Sequence, residues 1–456
     1  MDVPIGELVE RQKQYYDSGI TRDVRFRLDM LQKLRQTIVG AEERIFDALH
    51  RDLNKPKAEA YGTEIGIVLH ELRFAMKHLK RWVKPRKVRS GFAVGGKSYV
   101  TPEPYGTALI ISPWNYPVNL TFAPLIAAIA AGNTAVLKPS ELTPSVSALI
   151  AALVRDNFDQ RYIAVVEGGP EDSAELLEQP FDSIFFTGSS RVGKIVAEAA
   201  AKKLIPVTLE LGGKSPCLVH RDADLKLAAR RIAYGKFTNG GQTCVAPDYL
   251  LVHREAKQEL LDRLRGEIER FYGKTPIRNP NMTKIVNERH FDRLKGYLHE
   301  GTVAIGGETD PLLMRIAPTV IENVSPDANV MKEEIFGPIL PVLEYEDIDE
   351  AIRFVLEKPK PLALYVFAKD DSVQQRVLTR VSFGGGCIND TLLHLANPYM
   401  PFGGVGESGT GSYHGEYGFR AFSHYKSVLK QTTAFDIPFR YPSSKAGYRF
   451  MRRFLK

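Results

Sequence analysis

The chain has 456 residues, 44% of them hydrophobic and 25% charged, a balance that excludes a single small module and a disordered or low-complexity chain. Lys and Arg outnumber Asp and Glu by 61 to 54, a net charge of +7, yet no acidic residue follows Asp436, whereas Arg440, Lys445, Arg449, Arg452, Arg453 and Lys456 do. The body is therefore near neutral, and without zinc-finger spacing or an aromatic RNA-binding signature, nucleic acid is not expected as a partner.

In chain order, Met1 to Pro4 lack the basic and apolar run of a secretory signal. The first eighty residues read as helical, with Leu28, Leu31, Leu34 and Ile38 at three- and four-residue spacing. Strand candidates at 108–111, 134–137, 162–166 and 184–186 then alternate with helix candidates at 120–131, 145–154, 174–177 and 192–201. That alternation indicates crossover units and a parallel sheet, with nucleotide binding at the strand ends. A second series follows Glu210: helices at 225–234, 255–271, 348–355 and 372–378, and strands at 249–252, 339–343 and 362–367. Two α/β domains in series are expected, with Gly384-Gly385-Gly386 and 401–411 as loops. No apolar run approaches the roughly 20 residues of a membrane span. Three cysteines, Cys217, Cys244 and Cys387, are too few and too scattered for a disulfide framework or a metal site, so a cytosolic protein is expected.

Three glycine patterns compete for a nucleotide. Gly404-Val405-Gly406-Glu407-Ser408-Gly409 spells the dinucleotide fingerprint but lacks the preceding strand. The turn Gly188-Ser189-Ser190-Arg191-Val192-Gly193 follows a strand and opens a helix, so its backbone N–H groups can bind phosphate. Lys194 completes a P-loop spelling, but Ile195 stands where a magnesium-binding hydroxyl is required, which weakens a nucleotidase reading. A helix-capping turn is its bland alternative.

The nucleophile candidate is Cys244, preceded by Gly240-Gly241-Gln242-Thr243, a sequence suited to an exposed loop in which backbone amides approach a reacting atom. Cys217 and Cys387 adjoin apolar runs and read as inert thiols. Glu210, set between leucines, is a candidate general base, or else a carboxylate that turns to solvent or pairs with Lys214. In Pro113-Trp114-Asn115-Tyr116-Pro117 the aromatics can wall a pocket and the Asn115 amide is a neutral donor suited to an oxyanion. Glu141, in Lys138-Pro139-Ser140-Glu141, can receive ribose hydroxyls.

Together these residues resemble the aldehyde dehydrogenases. The resemblance rests on seven motifs in order: 113–117, 138–141, 186–193, 210–213, 241–244, Glu333-Glu334-Ile335-Phe336-Gly337-Pro338, and 401–409. It is nearest the class 3 and fatty-aldehyde branch through Cys244-Val245-Ala246-Pro247-Asp248-Tyr249 and Gly411-Ser412-Tyr413-His414-Gly415. The resemblance implies an aldehyde-dehydrogenase-like α/β fold: an NAD-binding Rossmann-like domain at 1–81 and 102–209, a catalytic domain at 210–412, and a bridging or oligomerisation element at 82–101 and 413–456.

It further implies oxidation of an aldehyde, medium or long aliphatic or aromatic, to a carboxylic acid, with Cys244 as nucleophile, Asn115 as oxyanion donor and Glu210 as hydrolytic base. Trp114, Lys138, Glu141, Gly188, Ser189, Gly193, Leu211, Glu334 and Phe336 match cofactor-contacting positions, and Ser190, Arg191 and Val192 complete the phosphate turn. Tyr116 and Trp114 are the substrate-pocket candidates. NAD is expected first, with NADP left open, and no metal. Members of this branch are typically homodimers. A semialdehyde or CoA-acylating dehydrogenase and a non-redox cysteine esterase are the alternatives.

In the tail, Tyr448, Phe450, Met451, Phe454 and Leu455 interleave with Arg449, Arg452, Arg453 and Lys456. This is a short basic amphipathic segment that can lie on an anionic membrane surface, be solvated, or cover a substrate entrance.

Overall fold

The computed structural model describes residues 3–91, 93–441 and 444–454. The tail positions Leu455 and Lys456 lie outside these. The residues divide into a large unit, up to Trp82 together with Pro104–Ser423, and a small one, Val83–Glu103 with the chain from His424 onward.

Five α-helices occupy the large unit as far as Trp82. The first sheet that follows runs in the order 409–410, 207–210, 183–187, 107–111, 134–138, 163–165, parallel except at the short first strand. Its strands Thr107–Ile111, Thr134–Lys138 and Ser183–Thr187 are buried at every position, which is why they read as continuous apolar runs rather than alternating ones. Helix Asn119–Ala131 is almost wholly buried and ends at Gly132 with φ 100°. The buried guanidinium of Arg27 closes that end, donating to Ala130 O at 3.2 Å and to Thr21 O at 2.7 Å.

The second sheet runs 302–305, 319–322, 339–345, 249–253, 216–219, 363–367, 385–388, parallel except at its first pair. The expected pair of α/β domains is thus present as two sheets flanked by helices. Three strands of the second sheet escaped the apolar-run criterion because they are four residues long or broken by polar residues: Pro216–Val219, Thr302–Ile305 and Thr319–Glu322. The Gly384-Gly385-Gly386 stretch, expected as a loop, is in part a strand, Gly385–Ile388. Glycine is required there because a Cβ on Gly386 would strike the carbonyl oxygen of Leu364 on the neighbouring strand.

The small unit holds all but the end residues Pro104 and Ser423 of a three-stranded sheet of Arg86–Val88, Lys97–Pro104 and Ser423–Lys430, and carries helix Lys445–Phe454. Among the described residues no helix is long and apolar enough to cross a membrane.

Candidate active site

In the first sheet, strand Thr107–Ile111 has Thr134–Lys138 on one side and Ser183–Thr187 on the other, so chain connections diverge at this point. Such a divergence opens a crevice beyond the strand ends. A groove of about 810 Å³ lies there, lined by Pro113 and Trp114 after one strand, by Gly188 to Arg191 after another, and by Glu334 and Phe336 from the loop that precedes strand Ile339–Tyr345 of the second sheet.

Cys244 reaches this groove from a loop held by backbone geometry. Asn239, Gly240 and Gly241 are consecutive left-handed residues with φ 57°, 62° and 72°. A Cβ on Gly241 would strike the carbonyl oxygen of Gly337, so a side chain is excluded at that point. Gln242 ties the turn on both ends: its Nε2 donates to Asn239 O at 3.0 Å and to Lys284 O at 3.1 Å, and its Oε1 accepts from Val286 N–H at 3.1 Å. The exposed loop expected from the glycines is instead buried from Thr238 to Thr243, and the Cys244 side chain is the part that opens to the groove. Burial and the fields of Glu334 and Glu210 push the thiol pKa up, while the N–H groups of Cys244 and Val245 favour the thiolate. Cys217 is fully buried and Cys387 half-buried, with Sγ 3.5 Å from His394 Nδ1.

Glu210 ends strand Val207–Glu210 and is 2% exposed, and neither carboxylate oxygen has a hydrogen-bond partner. The alternative pairing with Lys214 does not occur, because Lys214 Nζ donates to Asp248 and to the carbonyls of Val330 and Glu333 at 2.8 and 2.9 Å. Desolvation therefore raises the Glu210 pKa well above the carboxylate range. The Asn115 side chain lines the groove with its Nδ2 donating to Gln242 O at 3.0 Å. The backbone carbonyl of Asn115 accepts from Lys55 Nζ at 3.1 Å and Asn239 Nδ2 at 2.9 Å, which links it to the Cys244 turn.

Glu334 faces the same space with Oε1 unpartnered, and a Cβ on Gly212 would strike its carboxylate. Burial, then Asp248, push its pKa up to about 8. Arg293 fixes the segment by donating to Glu334 O at 3.3 Å and Ile335 O at 2.7 Å. The Trp114 ring meets Phe336 and His290 edge-on, with centroids 5.3 and 5.5 Å apart.

Of the other sequence candidates, Leu211 lines the groove, whereas Lys138, Glu141, Val192, Gly193 and Tyr116 do not. Val192 N–H is taken by the capping Ser189 Oγ at 3.4 Å, and Gly193 N–H by Ser189 O at 2.9 Å. Both residues support the turn from inside the helix. Lys138 Nζ is buried against Pro139 O and Gly168 O at 3.0 and 2.7 Å, with Glu141 4.0 Å away. The Tyr116 hydroxyl meets Thr243 Oγ1 at 2.6 Å, next to Cys244. The dinucleotide spelling at 404–409 forms a short 3₁₀ turn in which Ser408 Oγ closes on Val405, and Leu211 N–H donates to Ser408 O at 3.1 Å, so it braces the Glu210 strand end. Arg293 and His290 were not foreseen. They sit on helix Glu288–Tyr297, whose charge pattern matches any solvated helix.

Residues 7–428 match the aldehyde dehydrogenase family. The chain belongs to that family. It is 49% identical over 447 residues to the 4,4'-diaponeurosporen-aldehyde dehydrogenase of Staphylococcus aureus, covering 97% of each chain. To aldehyde dehydrogenase family 3 member B1 of Homo sapiens it is 45% identical, covering 95% of this chain and 93% of that one. The solved structure titled "Substrate bound state of Staphylococcus Aureus AldH" covers both chains fully with a TM-score of 0.97 at 48% identity. This aldehyde dehydrogenase is accordingly an oxidoreductase that oxidises aldehydes with NAD(P), and its relatives include class 3 members.

The dehydrogenase groove suits a dinucleotide on its own features. Helix Ser190–Lys202 starts at it under a serine cap, and the helix approaches so closely that a Cβ on Gly193 would lie 2.5 Å from Leu211 Cδ2. An orphaned carboxyl oxygen of Glu334 also faces the space where hydroxyls would fill its lone pairs.

Proposed function

We propose that this enzyme oxidises medium or long aliphatic or aromatic aldehydes through a thiohemiacetal and a thioester on Cys244. What carries this reading is the convergence, on one groove, of the Cys244 sulfur, the Asn115 amide and the unpartnered Glu210 carboxyl. Cys244 Sγ attacks the aldehyde carbon, and the Asn115 Nδ2 together with the Cys244 N–H holds the oxyanion. When bound, the nicotinamide supplies the hydride acceptor that leaves Cys244 acylated. Glu210, ionised at that stage, removes a proton from the water that attacks the thioester carbonyl, and the acid leaves as the thiolate is restored. An esterase without redox chemistry would have no use for the cofactor groove.

Trp114, Gly188, Ser189, Ser190, Arg191, Leu211, Glu334 and Phe336 would hold the cofactor, with Val192 and Gly193 shaping the turn and Lys138 and Glu141 at the ribose end. Glu141 is half-exposed and negative, which supports NAD over NADP. The first sheet would then be the NAD-binding half (1–81, 102–209), residues 210–412 the catalytic half, and 82–101 with 413–456 the bridging element. The aldehyde named in the Staphylococcus aureus relative supports a large apolar substrate, with Trp114 at its wall and Tyr116 behind it on Thr243.

Strand Ser423–Lys430 is the edge of its sheet and exposed from His424 onward, which supports a homodimer in which a second copy covers that edge. Exposed Tyr448 and Met451 beside exposed Arg449, Arg452 and Arg453 support peripheral contact with an anionic membrane by a cytoplasmic protein. Truncation after Arg440 should then abolish binding to anionic liposomes, and unchanged binding would end that idea.

The deciding assay mixes protein, NAD and aldehydes of rising chain length and follows reduced nicotinamide by absorbance. Turnover should rise with apolar length, and NAD-independent ester cleavage alone would overturn the reading.

A further inference from the structure

Lys55 lies in the link between helices Glu42–Leu53 and Lys57–Ala60, and Glu64 lies in a single wide turn, Tyr61–Ile65, that continues the second helix. The turn is of the π type: Gly66 N–H donates to Tyr61 O, and a Cβ on Gly66 would lie 2.9 Å from that oxygen. A π turn rotates the side chains beyond it out of the ordinary helical register, and such turns are frequent at functional sites. Here Glu64 is turned inward to meet Lys55, with Nζ to Oε1 at 2.7 Å and both side chains sealed from solvent.

The pair grips one loop at both ends. Lys55 Nζ also donates to Asn115 O at 3.1 Å, at the start of the loop, and lies 4.3 Å from the centre of the next ring, Tyr116. Glu64 Oε2 accepts from Val118 N–H at 3.1 Å and Asn119 N–H at 2.9 Å, where the loop enters helix Asn119–Ala131. The same stretch holds the turn that presents the sulfur: Glu59 Oε1 accepts from Asn239 N–H at 3.0 Å, and Asn239 Nδ2 donates to Asn115 O and to Gln242 O at 2.9 and 3.1 Å. A buried ion pair adds little stability over apolar residues of the same volume, so what distinguishes this one is where it places the backbone.

We propose that Lys55 and Glu64 are positioning residues for the first chemical step, holding the Asn115 peptide from behind so that its side-chain amide points to the carbonyl oxygen of an aldehyde on Cys244. This rests on the proposed reading of Asn115 as oxyanion donor. An oxyanion donor works only if it is fixed before the charge develops. Asn115 Nδ2 cannot be fixed by its own rotamer alone, because the peptide that carries it sits in a loop. With Lys55 gone, Asn115 O keeps only the Asn239 amide, and the 115–116 peptide is free to tilt.

The test loads the whole enzyme with NAD, mixes it with hexanal in a stopped-flow cell and records reduced nicotinamide over the first turnover. Lys55→Met should slow that turnover about 10²-fold, the usual cost of an ångström-scale displacement at a reacting centre. KM for NAD and the rate of Cys244 alkylation by iodoacetamide should stay within about twofold of the parent's, whereas a generally loosened fold would move all three. In an Asn115→Ala background, itself slow, Lys55→Met should cost less than about threefold more, since a residue that acts through Asn115 has nothing left to position. Lys55→Met/Glu64→Gln leaves no lone buried charge and keeps an acceptor for Asn119 N–H, so it repeats the series should Lys55→Met fail to fold. A parental rate in a folded Lys55 variant, or effects that multiply in the combined variant, overturns the proposal while a slow Asn115→Ala leaves the oxyanion reading standing. Asn115→Ala at the parental rate overturns that reading and the proposal with it.

Discussion

Lys214 is bound to Asp248, and this contact leaves Glu210, four residues earlier in the chain, without a counter-ion. Lys214 and Asp248 are both nearly sealed from solvent, at 9% and 3% exposure. Removing one partner of such a pair typically costs about 3–5 kcal/mol, because the other is left charged in the interior. Lys214→Met should therefore lower the melting temperature by several degrees. It should also raise KM for NAD, since Val330 and Glu333, which lose their donor, frame the segment that carries Glu334 and Phe336. A calorimetric scan with NAD kinetics checks both, and an unchanged melt would contradict the energetic account.

Cys244→Ala should abolish dehydrogenase turnover, whereas Glu210→Gln should separate the two halves of the reaction. With the amide in place, the acyl-enzyme forms but hydrolyses slowly. The expected record is a burst of reduced nicotinamide stoichiometric with sites, then a steady rate down by about 10²–10⁴. In the parent enzyme, burial holds Glu210 protonated to a pH well above the usual carboxylate range, so the hydrolytic step should accelerate as pH rises. Glu210→Gln should flatten that limb. Stopped-flow absorbance against pH reads both effects.

The buried strands and the Cys244, Glu210 and Asn115 positions were legible because each sits at a sharp change in sequence texture: an apolar run ended by Pro-Trp-Asn, by Glu between leucines, or by paired glycines. What sequence could not supply was the direction of side chains. Tyr116, two residues from Trp114, turns to Thr243 and not to the groove, and Arg293 enters from an ordinary-looking charged helix. Val192 and Gly193 spend their N–H groups inside the helix because a serine cap consumes the first turn, a bland reading that coexists with the phosphate-binding one. The burial of the Cys244 loop was hidden for a related reason: glycines signal backbone freedom and close approach equally well.

Glu71 gives a pH prediction away from the chemistry. Its Oε1 accepts from Gly415 N–H at 2.7 Å, and burial pushes its pKa from the ordinary 4.5 up to about 7. A carboxyl with a raised folded pKa binds its proton more tightly in the native state. Its stabilising contribution is therefore complete below the unfolded pKa and is lost as pH rises through about 7. The loss is roughly 3 kcal/mol by that shift. Glu71→Gln keeps an acceptor for Gly415 and removes the titration, so its melting temperature should fall less than the parent's between mildly acidic and alkaline buffer. Parallel melting curves of equal slope against pH would contradict this.

Gly212 offers a variant that separates fold from cofactor site. A Cβ at this position would strike the Glu334 carboxylate, the far end of a flexible side chain, and not a backbone atom. The chain can therefore accommodate Gly212→Ala by turning Glu334 aside, unlike Gly241→Ala, where the obstacle is the fixed carbonyl of Gly337 and φ is 72°. Gly212→Ala should fold with a melting temperature near the parent's and show KM for NAD raised about tenfold, a loss of roughly 1.4 kcal/mol of cofactor binding. Alkylation of Cys244 by iodoacetamide should continue, because the sulfur and its two N–H donors are untouched. Gly241→Ala should instead impair alkylation and turnover together by displacing the loop that presents the sulfur. If Gly212→Ala left NAD affinity intact, Glu334 would not be where the cofactor is held.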